Sequence, residues 1–298
     1  MLSEGVVQLR TLADLGDLRA CQILAERLLT GEGLERSPAE AARYLQRAAE
    51  GGHATAQFAL ATLLEGGEVR ADDPAEAERW YRRAAEHGHA GAQTALGLLL
   101  ARRSETSSDV EAAHWLRAAA EQGEVSAQSA LAAFLVRGRG GERDPVAGAE
   151  LARRAAEQGD AHAQALLGQL YLRGDGVVAD TAEAARWLRP AAEHGLAVAQ
   201  MNLALLLLQG NGVAADATAA AAWLASAAEQ GLAGAQSKLA QLHEHGRGVT
   251  LDLVQAQIWY RRAAAQGDAG GIEGAARLAP RLDGAQSAAV EAALAAPR

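Results

Sequence analysis

Ala163-Gln164-Ala165-Leu166-Leu167-Gly168 begins a stretch that closes on Ala191-Ala192-Glu193-His194-Gly195, and the same wording recurs along the chain. Seven times an Ala is followed four residues later by Leu and then by Ala or Gly, starting from Ala20, Ala56, Ala92, Ala127, Ala163, Ala199 and Ala235. The spacings are 36, 36, 35, 36, 36 and 36 residues. A period of this size belongs to a stacked array, in which each unit buries its apolar face against the next.

Within a unit, the recurring Leu and the residue eight beyond the leading Ala share one helical face. The small residue after that Leu, Gly97 or Ala204 for example, leaves room for a neighbouring helix. Gly-rich turns such as Gly174-Asp175-Gly176 supply the positive φ that stops a helix and reverses the chain. A second helix is then announced by a cap residue: Ser37, Asp73, Ser108, Asp144, Asp180, Asp216 or Asp252. Pro38, Pro74 and Pro145 fit the first helical position. Glu40, Glu76, Glu111 and Glu183 are placed to complete capping boxes. Each second helix ends on an Ala-Ala pair and a Gly, as at Gly88 and Gly231.

These motifs resemble the Sel-one-like repeat (SLR) family, an α/α solenoid related to tetratricopeptide arrays. The residues that carry the resemblance are the leading Ala-Gln, the Leu-Gly/Ala step, the turn Gly174-Asp175-Gly176-Val177-Val178-Ala179-Asp180 and the ending Trp259-Tyr260-Arg261-Arg262-Ala263-Ala264. The chain is therefore expected to be all-α, a right-handed α/α superhelical solenoid of seven repeats with terminal capping helices. Residues 1–19 are read as an N-terminal cap, and residues 271–298 as C-terminal capping helices. The repeats between them are 20–55, 56–91, 92–126, 127–162, 163–198, 199–234 and 235–270. Asp283 and Gln286 are expected to open the last helix, which runs to about Ala296. Roughly 17 helices follow from this plan.

Composition narrows the function. Apolar residues make up 49% of the chain but aromatics only 4%, so the core is mostly Ala and Leu, both strong helix formers. A net charge of −9 repels phosphate backbones and anionic lipid, so no nucleic-acid partner is expected. The longest purely apolar run, near Leu203–Leu208, is too short for membrane insertion, and residues 1–10 show no signal-peptide core. One cysteine, Cys21, excludes an internal disulfide framework and points to the cytoplasm. It stands where the other six units have Gln, and no His or Lys is placed to activate it. Richness in Ala, Arg and Gly suggests a bacterium with a GC-rich genome.

No catalytic residues, no cofactor and no metal are expected. The histidines are scattered, and pairs such as His87 and His89 do not supply three or four converging ligands. Gly-x-Gly occurs at helix turns without the preceding strand that a phosphate loop needs. Two irregularities stand out: the third turn, from Arg102 to Ser107, lacks glycine, and Pro190 falls inside a second helix and should bend it. The outer Arg82, Arg153 and Glu157 read as a solvated face.

Positions three, six and ten beyond the leading Ala form a stripe outside the Leu core. In tetratricopeptide-like arrays such a stripe lines the concave surface. Here it holds Leu98 and Leu166, the polar Gln169, Asn202, Lys238 and Gln241, and a ladder of Arg102, Arg137 and Arg173. An Arg in a last helical turn also complements the helix dipole. The expected function is a non-catalytic interaction scaffold or adaptor. It would act as a monomer and take a peptide or helix with apolar anchors and acidic residues. Two alternatives stay open. A secreted, cysteine-rich branch of the family is linked to β-lactam binding or hydrolysis, but its disulfide in each repeat is lacking here. The other is self-assembly into a homo-oligomer through the apolar stripe.

Overall fold

The computed structural model describes residues 4–69, 74–103 and 105–295. The expected cap at Asp73 with its capping box, Ser104 of the third turn, and the end of the chain from residue 296 lie outside these. The chain separates into two compact units, Met1–Arg143 and Asp144–Arg298. The first contains α1 (Glu4–Asp14), α2 (Leu18–Thr30), α3 (Pro38–Glu50), α4 (Ala54–Glu65), α5 (Pro74–Glu86), α6 (Ala90–Ala101), α7 (Thr106–Glu121) and α8 (Val125–Arg137). The second contains α9 (Pro145–Glu157), α10 (Ala161–Arg173), α11 (Thr181–Glu193), α12 (Ala197–Gln209), α13 (Ala217–Glu229), α14 (Ala233–His245), α15 (Leu253–Ala264) and α16 (Ala269–Leu278). A 3₁₀ turn, Ala279–Arg281, then leads to α17 (Gly284–Ala295). The fold is an all-α solenoid of helix pairs, with seventeen α-helices and no strand among the described residues. In each unit successive helices pack on one another, and α17 returns onto α15.

The recurring Leu forms the core as its spacing requires: Leu24, Leu96, Leu167 and Leu203 are fully buried. The residue seven beyond the leading Ala joins them, as Leu63, Phe134, Leu170, Leu206 and Leu242 show. The small position is a true steric limit. A Cβ on Gly97 would lie 2.7 Å from Leu116 Cγ, and one on Gly168 would lie 2.6 Å from Leu188 Cγ. Glycine at Gly176 is demanded twice over, by a φ of +74° and by the backbone of Pro145, which a Cβ would overlap.

The expected caps form at Ser37, Asp144, Asp180, Asp216 and Asp252, where the side chain accepts a first-turn N–H. The capping boxes at Glu40 and Glu183 do not. Their carboxylates pair with Arg10 (2.5 Å) and Arg186 (3.2 Å) instead. The physical reason is that the N–H of the cap residue is already taken: Ser37 donates to Leu28 O and Asp180 to Tyr171 O, eight residues beyond the leading Ala. At Asp283, where no such carbonyl is engaged, Gln286 closes a reciprocal box.

The third repeat corrects the sequence reading further. Ser108 is not a cap: α7 begins two residues earlier, at Thr106, and Ser108 is buried in its first turn. Without glycine to hold a long turn, the chain reverses through Arg102 in the αR region and enters the helix early. Glu111 accordingly bonds Arg82 and Trp115 Nε1. Pro190 is accommodated within α11, which continues to Glu193.

Sequence periodicity drew attention to the Leu face, yet a buried polar ladder ties the pairs together. Gln57, Gln93, Gln128, Gln164, Gln200 and Gln236 each donate from Nε2 to the carbonyl of the second Ala in the preceding Ala-Ala pair, at 2.9–3.4 Å. Cys21 makes the same bond to Ala13 O from Sγ, at 3.4 Å. Burial pushes its thiol above the usual range. The amide oxygens find donors one helix pair further on: Gln122 Nε2 on Gln93 (2.8 Å), Gln230 on Gln200 (2.9 Å) and Gln266 on Gln236 (3.0 Å). Gln164 Oε1 lacks this donor, because the residue at the corresponding place, His194, turns to Pro190 O at 2.8 Å.

A buried amide bonded at both ends contributes more than one bonded at a single end. Gln236→Leu should therefore lower stability by about 1–2 kcal/mol, and Gln164→Leu by less. Urea midpoints of the two variants check this, and the reverse order would show that the oxygen-side bond adds nothing.

Candidate functional site

Three of the nine stripe residues belong to the first unit. Leu98 lies on α6 and is 39% exposed, Arg102 is the exposed C-cap of that helix, and Arg137 ends α8. Helices α6 and α8 touch, so Leu98 and the two arginines sit on neighbouring first helices. Neither arginine has an ion-pair partner among the described residues, whereas the adjacent Arg103 and Arg139 bond Glu78 and Asp109.

The other six belong to the second unit. Leu166 and Gln169 are half-buried on α10, which ends in the exposed Arg173, and Asn202 is half-buried on α12. These two helices also touch. Lys238 and Gln241 on α14 bond each other, Nζ to Oε1, at 3.3 Å. Gln169 and Asn202 have no hydrogen-bond partner and Arg173 no carboxylate among the described residues. Half-buried amides without partners are groups that a docking chain can satisfy. Arg137 and Arg173 also complement their helix ends, beside the αL glycines Gly138 and Gly174.

The outer face matches the solvated surface expected of it at Glu157, which is exposed, but not at the two arginines. Arg82 bridges Glu78 (3.1 Å) and Glu111, and its hydrogen bond to Glu111 raises its proton affinity. Arg153 reaches the Tyr171 hydroxyl at 2.9 Å. Two tyrosine–glutamate pairs escaped the sequence reading, although both have the same separation along the chain: Tyr81 to Glu65 at 2.7 Å and Tyr260 to Glu244 at 2.8 Å. Burial pushes both phenols up to about 12. Glu244 also takes Arg277 (2.5 Å) and Arg281 (2.8 Å). Burial works against its charge, but the bonds from Arg277 and Tyr260 outweigh that and hold its carboxyl below the ordinary range. The cluster fastens α16 and the 3₁₀ turn to α14 and α15. Gly274 makes room for the ring, since any Cβ there would overlap Tyr260.

Among the described residues no three His, Cys, Asp or Glu side chains are grouped to hold a metal, and no helix is long and apolar enough to cross a membrane. His89 serves the fold instead. Its Nδ1 accepts the Ala92 N–H at 3.2 Å, capping α6, while its ring stacks on Phe58 with centroids 4.6 Å apart.

The Sel1 repeat model matches seven consecutive stretches, residues 18–53, 54–89, 90–124, 125–160, 161–196, 197–232 and 233–268. Two crystal structures resemble the chain at 33% identity over 92% of its length. One is c5321, a protective antigen present in uropathogenic Escherichia coli strains displaying an SLR fold (TM-score 0.77). The other is a Sel1 repeat protein from Oxalobacter formigenes (TM-score 0.68). The matched regions are 59% of the first and 80% of the second, so the chain spans about three fifths of the E. coli antigen. Comparison with curated protein sequences gave no match.

Burial lowers the proton affinity of His89 below its usual value of 6.5, so the unfolded chain binds that proton first. Its contribution to stability is present above pH 6.5 and is lost as pH falls below that value towards the folded pKa. His89→Asn, which keeps a capping side chain without the titration, should flatten the fall in urea midpoint across this window. An unchanged slope would assign the pH dependence to other groups.

Proposed function

The chain belongs to the Sel1 repeat family, and from that footing we propose that it is a non-catalytic scaffold that docks a peptide or helix of a partner protein on its first-helix stripe. Sel1 repeats commonly mediate protein interactions. The observation that carries the reading here is chemical: the stripe combines half-buried Leu166 with the amides of Gln169 and Asn202, which have no hydrogen-bond partner among the described residues, next to Arg173, which has no carboxylate partner among them. The first unit offers Leu98 with Arg102 and Arg137 in the same manner.

A helix laid along such a surface would bury apolar residues against the leucines, donate or accept at the amides, and set Asp or Glu against the guanidinium groups. Net charge elsewhere on the chain is negative, so these arginines favour acidic partner residues only locally. We place the protein in the reducing cytoplasm, a reading supported by its single, buried cysteine.

Charge reversal tests the stripe. The triple variant Arg102→Glu, Arg137→Glu and Arg173→Glu should keep its circular dichroism and melt only slightly lower, because all three side chains are exposed and only their pairing with the helix ends is lost. Its capture of a partner first identified by crosslinking the wild type in its native host should fall by about tenfold or more. Equal recovery of the same partner by wild type and variant would reject the stripe as the docking surface.

A further inference from the structure

A cleft where the fourth repeat meets the fifth is separate from the stripe. It lies wholly within the second unit, between the opening turns of α9 and the loop from Gly174 to Asp180, and has a volume of about 950 Å³. Two of its walls are aliphatic and open to solvent: Val146 is 66% and Val178 88% exposed. In an array, a side chain that the scaffold requires recurs from unit to unit, so coincident departures mark positions that the scaffold does not dictate.

Three departures meet in this cleft. Glu150 is the one acid at a place that holds Arg43, Arg79 and Arg186 in three repeats and His114, Ala222 and Ile258 in the others. Val178 stands where Glu35, Glu142 and Thr250 stand in three repeats and Ala71 and Ala214 in two, so it puts a larger aliphatic side chain at a polar or small position. Tyr171 replaces the Leu found at five of the other six corresponding positions. Its hydroxyl accepts Arg153 Nη2 at 2.9 Å, and Arg153 also lies 3.9 Å from Glu150. The single guanidinium lining the cleft is thus engaged.

The cleft is lined by four carboxylates, Asp144, Glu150, Asp180 and Glu183; Glu150 also takes Arg154 at 3.3 Å and Glu183 takes Arg186 at 3.2 Å, both arginines lying outside the lining. Asp144 and Asp180 each commit one oxygen to capping a helix, at 3.0 Å to Ala147 N and 2.8 Å to Ala182 N. An aliphatic floor inside an acidic rim is complementary to one kind of occupant. We propose that the cleft docks an extended segment of a partner protein in which Lys or Arg residues flank an aliphatic side chain. The aliphatic group seats between Val146 and Val178, and the cations pair with the rim. The charge preference is opposite to that of the arginine-edged stripe, so the two surfaces would engage different segments.

Fluorescence anisotropy tests this with two labelled probes, Gly-Lys-Val-Lys-Val-Lys-Gly and the same peptide with Glu for Lys. The intact chain should bind the Lys probe in preference to the Glu probe, with an affinity that weakens as salt rises. Glu150→Arg combined with Val178→Thr should weaken binding about tenfold. Sister repeats carry those residues at the same places, so the fold tolerates them. Val178→Thr alone, which alters no charge, should weaken it by a smaller factor. Glu86→Arg makes the same charge change on an exposed site of the first unit and should leave binding within about twofold. The proposal is overturned if the two probes bind alike, if Val178→Thr has no effect, or if Glu86→Arg weakens binding as much as the cleft variant.

Discussion

A glutamine amide buried between helix pairs is the bond on which the stacking depends. Helix ends leave carbonyls short of partners. The second Ala of each Ala-Ala pair sits in that last turn and takes the terminal Gly N–H, as Gly52 does on Ala49 at 3.0 Å. Gln57 then supplies a second donor to the same oxygen, at 2.9 Å. The glutamine belongs to the next first helix, so the bond fixes where that helix lies relative to the one before. Apolar burial supplies most of the driving force but has no direction. The amide supplies the direction, and alanine on the facing helix lets the backbone come near enough to be reached.

The same economy explains the ends. Cys21 retains the geometry of the bond with a weaker donor, reaching back to Ala13 O of α1. At the other end the ladder position holds Ile272 in place of Gln, and Gln257 on α15 bonds Ala275 O of α16 at 3.2 Å, where Gly271 and Gly274 let α16 approach Ala263 and Tyr260. What the glutamine no longer specifies, the Glu244 cluster does. Two arginines and a phenol around one buried carboxylate form a costly arrangement unless every lone pair is used, and here the partners are present.

A scaffold determined by small and aliphatic residues leaves the remaining positions to vary. That is why the stripe passes from Leu98 to Asn202 and Lys238 without disturbing the helices, and why Glu150, Tyr171 and Val178 can depart together. Variation at fixed geometry is how a repeat fold acquires different surfaces. Function in such a chain resides in side chains that the repeat does not need.

Period and residue type alone determined that helices pair, where they stop, which Leu is buried and which Gly takes a positive φ, because each of these is set within one turn of chain. The stripe was legible as positions, though not as chemistry: nothing local says that Arg103 finds Glu78 while Arg102 finds no acid. Capping boxes at Glu40 and Glu183 looked complete on spacing, yet a carbonyl nine residues upstream had already taken the N–H. The start of α7, the glutamine ladder, the tyrosine–glutamate pairs and the acidic cleft were decided only in the tertiary structure. Each depends on groups from separate helices competing for the same donor, acceptor or space, and that competition is settled by distance in the folded chain.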